Sequence, residues 1–244
     1  MSNLVTFLIP NRGGKDLDKV IKNINEVYSD LDKEIIVIQQ DDNLPFMRGQ
    51  LYNIGVKFAK GNYLALTDND IYHFRKLPLF LIYENYHKPI IGFTWISQID
   101  YNNGKPIITL TEERVGTGAF NFMRKEDFLN ANGFSNLYIG WGAEDLDFML
   151  RFNNDYVRVP QNLGHISHPR RLNTNKKNSD LNHTVLKSFK NRDYKLDGIN
   201  QTTFDLVSDE QTSSYRLIKV KSISVVNDFK YNDIIKQHFR YIHE

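Results

Sequence analysis

Short apolar runs alternate with amphipathic stretches through the first 70 positions. "LVTFLIP" (4–10), "EIIVIQQ" (34–40) and "NYLALTDND" (62–70) each read as a buried strand, and the first is stopped by Pro10. Between them, "KDLDKVIKNINEVYSDL" (15–31) repeats apolar residues at helical spacing through Leu17, Val20, Ile21, Ile24 and Val27. "LPFMRGQLYNIGVKFAKG" (44–61) reads as a second helix with Gly61 in the position that closes it. Strand, helix, strand, helix, strand predicts an α/β sheet with crossover helices. Ligands of such sheets gather at the carboxyl ends of the strands. Here those ends are polar: "PNR", "QQDD" and "TDND".

Further along, "PIIGFTWIS", "KPIITLT" and "GAFNFMR" predict three more strands. "RKEDFLNANGF" (124–134) predicts a short helix with a glycine stop, and "GWGAEDLDFMLR" (140–151) opens another helix. A polar helix is expected over 176–194 and a β-hairpin over 202–225. "YNDIIKQHFRYIHE" (231–244) reads as an amphipathic tail helix that docks either on the domain or on a second subunit. The aromatic group "FLIYENYH" (80–87) is expected to pack in the core.

Composition narrows the classes without choosing one. The chain has 244 residues, 41% apolar and 25% charged, which is ordinary for a globular protein. Its net charge of +2 gives no electrostatic argument for nucleic acid. With no cysteine, disulfides and thiolate metal sites are excluded, so any metal must take oxygen and imidazole ligands. The start, "MSNLVTFLIPNRGG", lacks the basic region and long apolar run of a signal peptide, and no stretch has the length of a membrane span. A soluble chain in the cytoplasm is expected.

Two groups of residues carry chemistry. In "TDND" (67–70), Asp68 and Asp70 stand two apart after an apolar strand, where carboxylates can hold a divalent ion, although Asp and Asn also favour plain turns. "GHISHP" (164–169) offers His165 and His168 three apart, which on a straight strand face opposite ways, so the chain must bend for both to join Asp70. One carboxylate with two imidazoles and phosphate oxygens suits Mn²⁺ better than Mg²⁺ or Ca²⁺, and zinc is left open.

Six segments, in order, resemble the β-1,4-galactosyltransferase family: "FLIPNR", "PFMRGQLYNIGVKFA", "LTDND", "FLNANGFSNLYIGWGAEDLDF", "HISHP" and "LDGINQTTFDLVS". The resemblance implies a GT-A type nucleotide-sugar-binding fold, α/β, with a mixed central sheet flanked by helices, a C-terminal β-hairpin and a tail helix. It implies one domain over 1–225, with a nucleotide-binding half (1–75) and an acceptor and metal half (76–225), followed by the tail 226–244. It further implies an inverting hexosyltransferase that moves a sugar, galactose first, from a UDP-sugar to a glycan hydroxyl with Mn²⁺. Pro10, Arg12, Phe46, Arg48 and Asp68 would contact the UDP-sugar, and Asp70, His165 and His168 the metal. Trp141 would stack near donor and acceptor, Glu144 would hold donor hydroxyls, and Asp145 would be the catalytic base and touch the acceptor.

Within this frame the segment 140–151 acquires a physical reading. Gly140 and Gly142 allow unusual backbone angles, so Trp141 is expected on a mobile loop whose closure excludes water. Glu144 and Asp145 would lie in the first helical turn, where the macrodipole favours the ionised carboxylate. Leu146, Met149 and Leu150 would anchor the turn, and Asp147 and Arg151 would form a pair on the helix surface. Three positions differ from the family. His165 stands where the main galactosyl branch has methionine and the branch acting on xylose acceptors has histidine. Leu146 replaces an acceptor-binding carboxylate, and "VGTGAFNF" (115–122) replaces the loop near the donor sugar. Rival readings are a GT-A polysaccharide synthase using UDP-GalNAc, UDP-Glc or UDP-GlcA, a nucleotidyltransferase, and a catalytically silent sugar-binding module.

Overall fold

The structure, a computed structural model, describes residues 4–102, 105–159, 166–169, 176–188, 193–221 and 223; within these, side chains at 93–117, 166–169 and 176–178 are outside the description. The expected alternation opens the chain: β1 (Val5–Asn11), α1 (Leu17–Val27), β2 (Lys33–Gln40), α2 (Arg48–Phe58) and β3 (Tyr63–Thr67). Then come β4 (Tyr72–His73), α3 (Leu79–Tyr86), β5 (Ile90–Asn102), β6 (Lys105–Arg124), α4 (Lys125–Asn130) and α5 (Glu144–Leu150). β7 (Val157–Val159), β8 (Ile166–Pro169), α6 (Lys176–Ser188), β9 (Asp205–Gln211) and β10 (Arg216–Lys221) follow. The strands form one mixed sheet in the order β4-β8-β5-β6-β3-β1-β2-β10-β9, with β7 beside β5.

The uniformly apolar strands are explained by burial on both faces. Phe7 and Ile9 of β1 and Ile35 and Val37 of β2 pack with α1 residues Val20 and Ile24. Leu8, Ile36 and Ile38 pack on the other face with Leu51 and Ile54 of α2 and with Phe134 and Phe148.

Several boundaries differ from expectation for physical reasons. β1 continues to Asn11, one residue past Pro10. Its pairing to β3 ends at Leu8, so the N–H that Pro10 lacks has no ladder partner to lose on that side. α2 begins at Arg48, not at residue 44, because the Gln40 side chain holds the preceding segment: it donates to the carbonyls of Leu44 (3.2 Å) and Pro45 (2.9 Å) and accepts from Met47 N (2.9 Å). Gly61 does not close α2, which ends in an extended Ala59 (φ −64°, ψ 132°). A Cβ on Gly61 would sit 2.7 Å from Leu4 O and 2.8 Å from Thr6 N, so this glycine serves the close approach to β1. "KPIITLT" and "GAFNFMR" are two parts of the single strand β6, which pairs with β5 on either side of an irregularity between Gly116 and Asn121.

The expected hairpin is present as β9 and β10, and β10 lies parallel to β2, extending the main sheet. In α3, Ile82 and Tyr83 are buried as expected of core aromatics and aliphatics, while Tyr86 is exposed. The expected tail helix (226–244) lies outside the described residues. Among the described residues, no helix is long and apolar enough to cross a membrane.

Candidate active site

The carboxyl ends of β1, β2 and β3 lie side by side, since β1 pairs parallel with both neighbours. At the end of β1, Pro10 is buried and Arg12 is exposed. Between them Asn11, missed by the sequence reading, joins the three ends. Its Nδ2 lies 3.4 Å from Gln39 Oε1, and its Oδ1 accepts from Asn69 Nδ2 (2.8 Å) and Gly14 N (3.1 Å). The turn that holds Asp68 and Asp70 is thereby tied to the first strand.

Arg48, the first residue of α2, is the hub of the site. Its Nε donates to Asp68 Oδ1 (2.6 Å), its Nη1 to Glu144 Oε1 (3.2 Å) and its Nη2 to the carbonyl of Gly118. Arg48 is 8% exposed. Burial disfavours its charge, but Asp68, Tyr52 and Glu144 outweigh that and hold it protonated. Tyr52, one helical turn on, donates to Asp68 Oδ1 (3.2 Å) and lies under the Arg48 guanidinium, 5.1 Å from ring centre to Cζ. Expected as a UDP contact, Arg48 links Asp68 just past β3, Gly118 within β6 and Glu144 in the first turn of α5. Three of its five N–H donors are engaged by described partners, which leaves one on each terminal nitrogen.

Helix α5 enters this cluster through strained backbone. Gly140 (φ 74°), Gly142 (φ 107°) and also Ala143 (φ 66°) have left-handed angles, the last unforeseen from sequence. The Trp141 segment is pinned on several sides: Gly140 N donates to Phe46 O (3.0 Å), Asn182 Nδ2 donates to the carbonyls of Ile139 (3.0 Å) and Trp141 (3.2 Å), and Gly142 N donates to Glu144 Oε2 (3.1 Å). In this conformation the backbone of the segment is hydrogen-bonded on these sides, and Trp141 is 50% exposed. Asn182 on α6 was not foreseen, and no local signal marks it.

Glu144 and Asp145 lie in the first turn of α5, as expected. The macrodipole does not settle the state of Glu144: burial, then the adjacent Asp145, push its carboxyl up to about 7 against the pull of Arg48. Asp145 is half-buried beside Gly118, where a Cβ would stand 2.9 Å from Asp145 Oδ2. Only a residue without a side chain leaves that carboxylate where it is. The anchor of α5 is Phe148, fully buried and stacked on Phe134 at 4.0 Å; Leu146, Met149 and Leu150 are only half-buried. Asp147 and Arg151 do pair at 3.2 Å, but inside the protein, with side chains 1% and 0% exposed. Arg151 also meets Asp197 at 3.6 Å, which in turn accepts from Ser135 Oγ and Asn136 N (2.7 Å). The "LDGIN" segment thus braces α5 from behind.

Of the expected metal ligands, Asp70 is 5% exposed at the end of this turn. β8 pairs antiparallel with β4 through Tyr72↔Ser167 and His73↔Ile166, so continuing the register sets His168 opposite Ile71, beside Asp70. The His168 side chain and all of His165 lie outside the described residues. Among the described residues no group of three or more metal-ligating side chains is found. Of the expected donors, Asp70 is the one whose side chain is described, and a buried carboxylate there suits a divalent cation.

Comparison with known proteins agrees with the fold and with the family resemblance. The family described as "N-terminal domain of galactosyltransferase" matches residues 110–173. Beta-1,4-galactosyltransferase 7 of Drosophila melanogaster is 33% identical over 135 residues, 53% of this chain and 38% of that protein. Beta-1,4-galactosyltransferase 4 of Homo sapiens is 25% identical over 226 residues, 88% of this chain and 62% of that one. The chain thus spans less than two thirds of the length of these curated relatives. A mutant of the Drosophila enzyme, solved with manganese, UDP-Gal and xylobiose, superposes with a TM-score of 0.66 at 19% identity over 96% of this chain and 98% of that one. The chain has the GT-A fold, and in sequence it resembles the β-1,4-galactosyltransferase family.

Proposed function

We propose that this protein is an inverting, Mn²⁺-dependent galactosyltransferase that moves galactose from UDP-galactose to a hydroxyl of a glycan acceptor. The observation that carries the reading is the Arg48 hub. It gathers Asp68, Glu144 and Gly118 from three distant stretches of chain, with Asp145 against Gly118, at the end of the sheet where such folds take ligands. The resemblance to enzymes of known activity supplies the substrate class.

In this reading Asp145 removes the proton from the acceptor hydroxyl as its oxygen attacks the anomeric carbon from the face opposite the UDP. The sugar passes through an oxocarbenium-like state. Glu144, fixed by Arg48 and Gly142 N, holds donor hydroxyls. The two N–H groups of Arg48 not engaged by Asp68, Glu144 and Gly118 face the diphosphate with the exposed Arg12. Pro10 and Phe46 line the nucleotide, and the half-exposed Trp141 indole covers the sugars and keeps water from competing as acceptor. Asp70, His165 and His168 would hold Mn²⁺, which supplies Lewis-acid stabilisation of the leaving diphosphate when bound. A role in polysaccharide synthesis in the cytoplasm belongs to the same proposal.

The test is a matrix of UDP-sugars with Mn²⁺, read as UDP release with and without simple glycosides. A β-xyloside comes first among acceptors, since xylobiose occupies the Drosophila relative. UDP-galactose should give the fastest acceptor-dependent release. Asp145→Asn should lower turnover by about 10²–10⁴-fold while UDP binding persists. Near-normal turnover in that variant, or preference for another sugar, would contradict the assignment.

A further inference from the structure

β4 is a strand of only two residues at the edge of the sheet, yet it carries the chain away from Asp68–Asp70 and holds β8. So short a strand has little of its own to fix it. Asn23, on α1 and 50 positions earlier, supplies what is missing. Its Nδ2 donates to His73 O (3.0 Å), and its Oδ1 accepts from His73 N (2.7 Å). In an antiparallel ladder, neighbouring residues turn their N–H and C=O groups to opposite edges. His73 spends both on Asn23, so the Asn23 amide takes the place of a further strand on the edge away from β8.

The His73 ring completes the anchor. It is 1% exposed, with Nδ1 3.0 Å from Tyr28 Oη, and it meets the rings of Tyr28 and Phe120 edge-on at 5.3 and 5.0 Å. Phe120 is itself in register with Thr67, the residue before Asp68. The segment 68–73 is therefore held at both ends: Asp68 by Arg48 and Tyr52, Asn69 by Asn11, and His73 by Asn23 and Tyr28.

We infer that Asn23 is a positioning residue for the metal-binding Asp70 and for the strand that carries His168. It touches neither substrate nor metal; it sets the backbone of 68–73 and, through β4, that of β8, where Asp70 and His168 stand. This rests on the Mn²⁺ reading above. The experiment uses the full chain with Asn23→Ala and Tyr28→Phe, and with Asn25→Ala on the same helix as a control. Mn²⁺ is titrated in the presence of UDP and followed by the paramagnetic resonance of the free ion; Tm and the Mn²⁺ dependence of turnover are measured beside it. Asn23→Ala should weaken Mn²⁺ binding about tenfold, as outer partners of metal ligands do, and raise the Mn²⁺ needed for half-maximal turnover by the same factor. Turnover at saturating Mn²⁺ should be nearly unchanged. Tyr28→Phe should shift Mn²⁺ binding the same way by a smaller factor, and Asn25→Ala should leave it unaltered. Unchanged Mn²⁺ affinity in Asn23→Ala and Tyr28→Phe, with or without a fall in Tm, would reduce the clasp to a structural one and overturn the inference. If the unaltered chain binds no Mn²⁺ in the presence of UDP, the metal reading falls first and takes this inference with it, before any variant is compared.

Discussion

Replacing Arg48 with methionine tests the core of the candidate site. Methionine keeps much of the length and packing but removes the charge that bonds Asp68, Glu144 and the Gly118 carbonyl. Deleting one member of a buried ion pair typically costs about 3–5 kcal/mol, because the remaining charge is left buried and unpaired. Asp68 is the less affected partner, since its side chain is 22% exposed and water can reach it. The cost falls mainly on Glu144, whose side chain is 8% exposed.

Its size should depend on pH. The Glu144 carboxyl lies at about 7 against an ordinary 4.5, even with Arg48 present. The folded protein thus binds this proton more tightly than the unfolded chain does. The stability this contributes is fully present below about 4.5 and lost as pH rises through about 7, and that interval corresponds to about 3 kcal/mol. Without Arg48 the carboxyl is pushed higher still, so the variant escapes much of its penalty by taking up a proton. Urea unfolding of both proteins at matched pH should show a deficit larger at pH 8 than at pH 5.5 by about 1 kcal/mol, the most that one pH unit above a carboxyl at about 7 supplies when the variant can keep its proton. Adding Glu144→Gln should recover part of the loss at pH 8. A deficit equal at both pH values, or below about 1 kcal/mol at pH 8, would refute the claim that Arg48 compensates a buried carboxylate.

Two further outcomes follow from the geometry. Gly118→Ala sets a Cβ 2.9 Å from Asp145 Oδ2, so the carboxylate must move by several tenths of an ångström; turnover in the UDP-release assay should fall roughly tenfold with UDP binding retained. Phe148→Ala removes the ring stacked at 4.0 Å on Phe134 that anchors α5, and denaturant titration should show a loss of about 3–5 kcal/mol.

The strand–helix alternation of the first 70 residues was legible because β1, β2 and β3 are buried on both faces and so read as unbroken apolar runs. Helix edges were less so. Where α2 begins depends on the Gln40 side chain catching residues 44–47, a contact that no window around residue 44 reveals. The two strands expected at 105–111 and 118–124 form one element, but its pairing with β5 is interrupted between Gly116 and Asn121, an irregularity set by the partner strand and not by any local pattern. Asp147 and Arg151 had the i, i+4 spacing of an ion pair, but periodicity could not say that Asp197, about 50 residues on, would bury them.

By itself the sequence determined the fold class and the kinds of groups at the strand ends, since burial pattern and side-chain chemistry are local and ordered along the chain. Tertiary structure alone decided how those groups act on one another. It made Arg48 a bridge with three of its donors already engaged, pushed the Glu144 carboxyl up by enclosing it beside Asp145, and used Gly118 to let Asp145 approach. Electrostatic energy depends on distance and burial, and residues 48, 68, 118 and 144 acquire both only when the sheet closes around them.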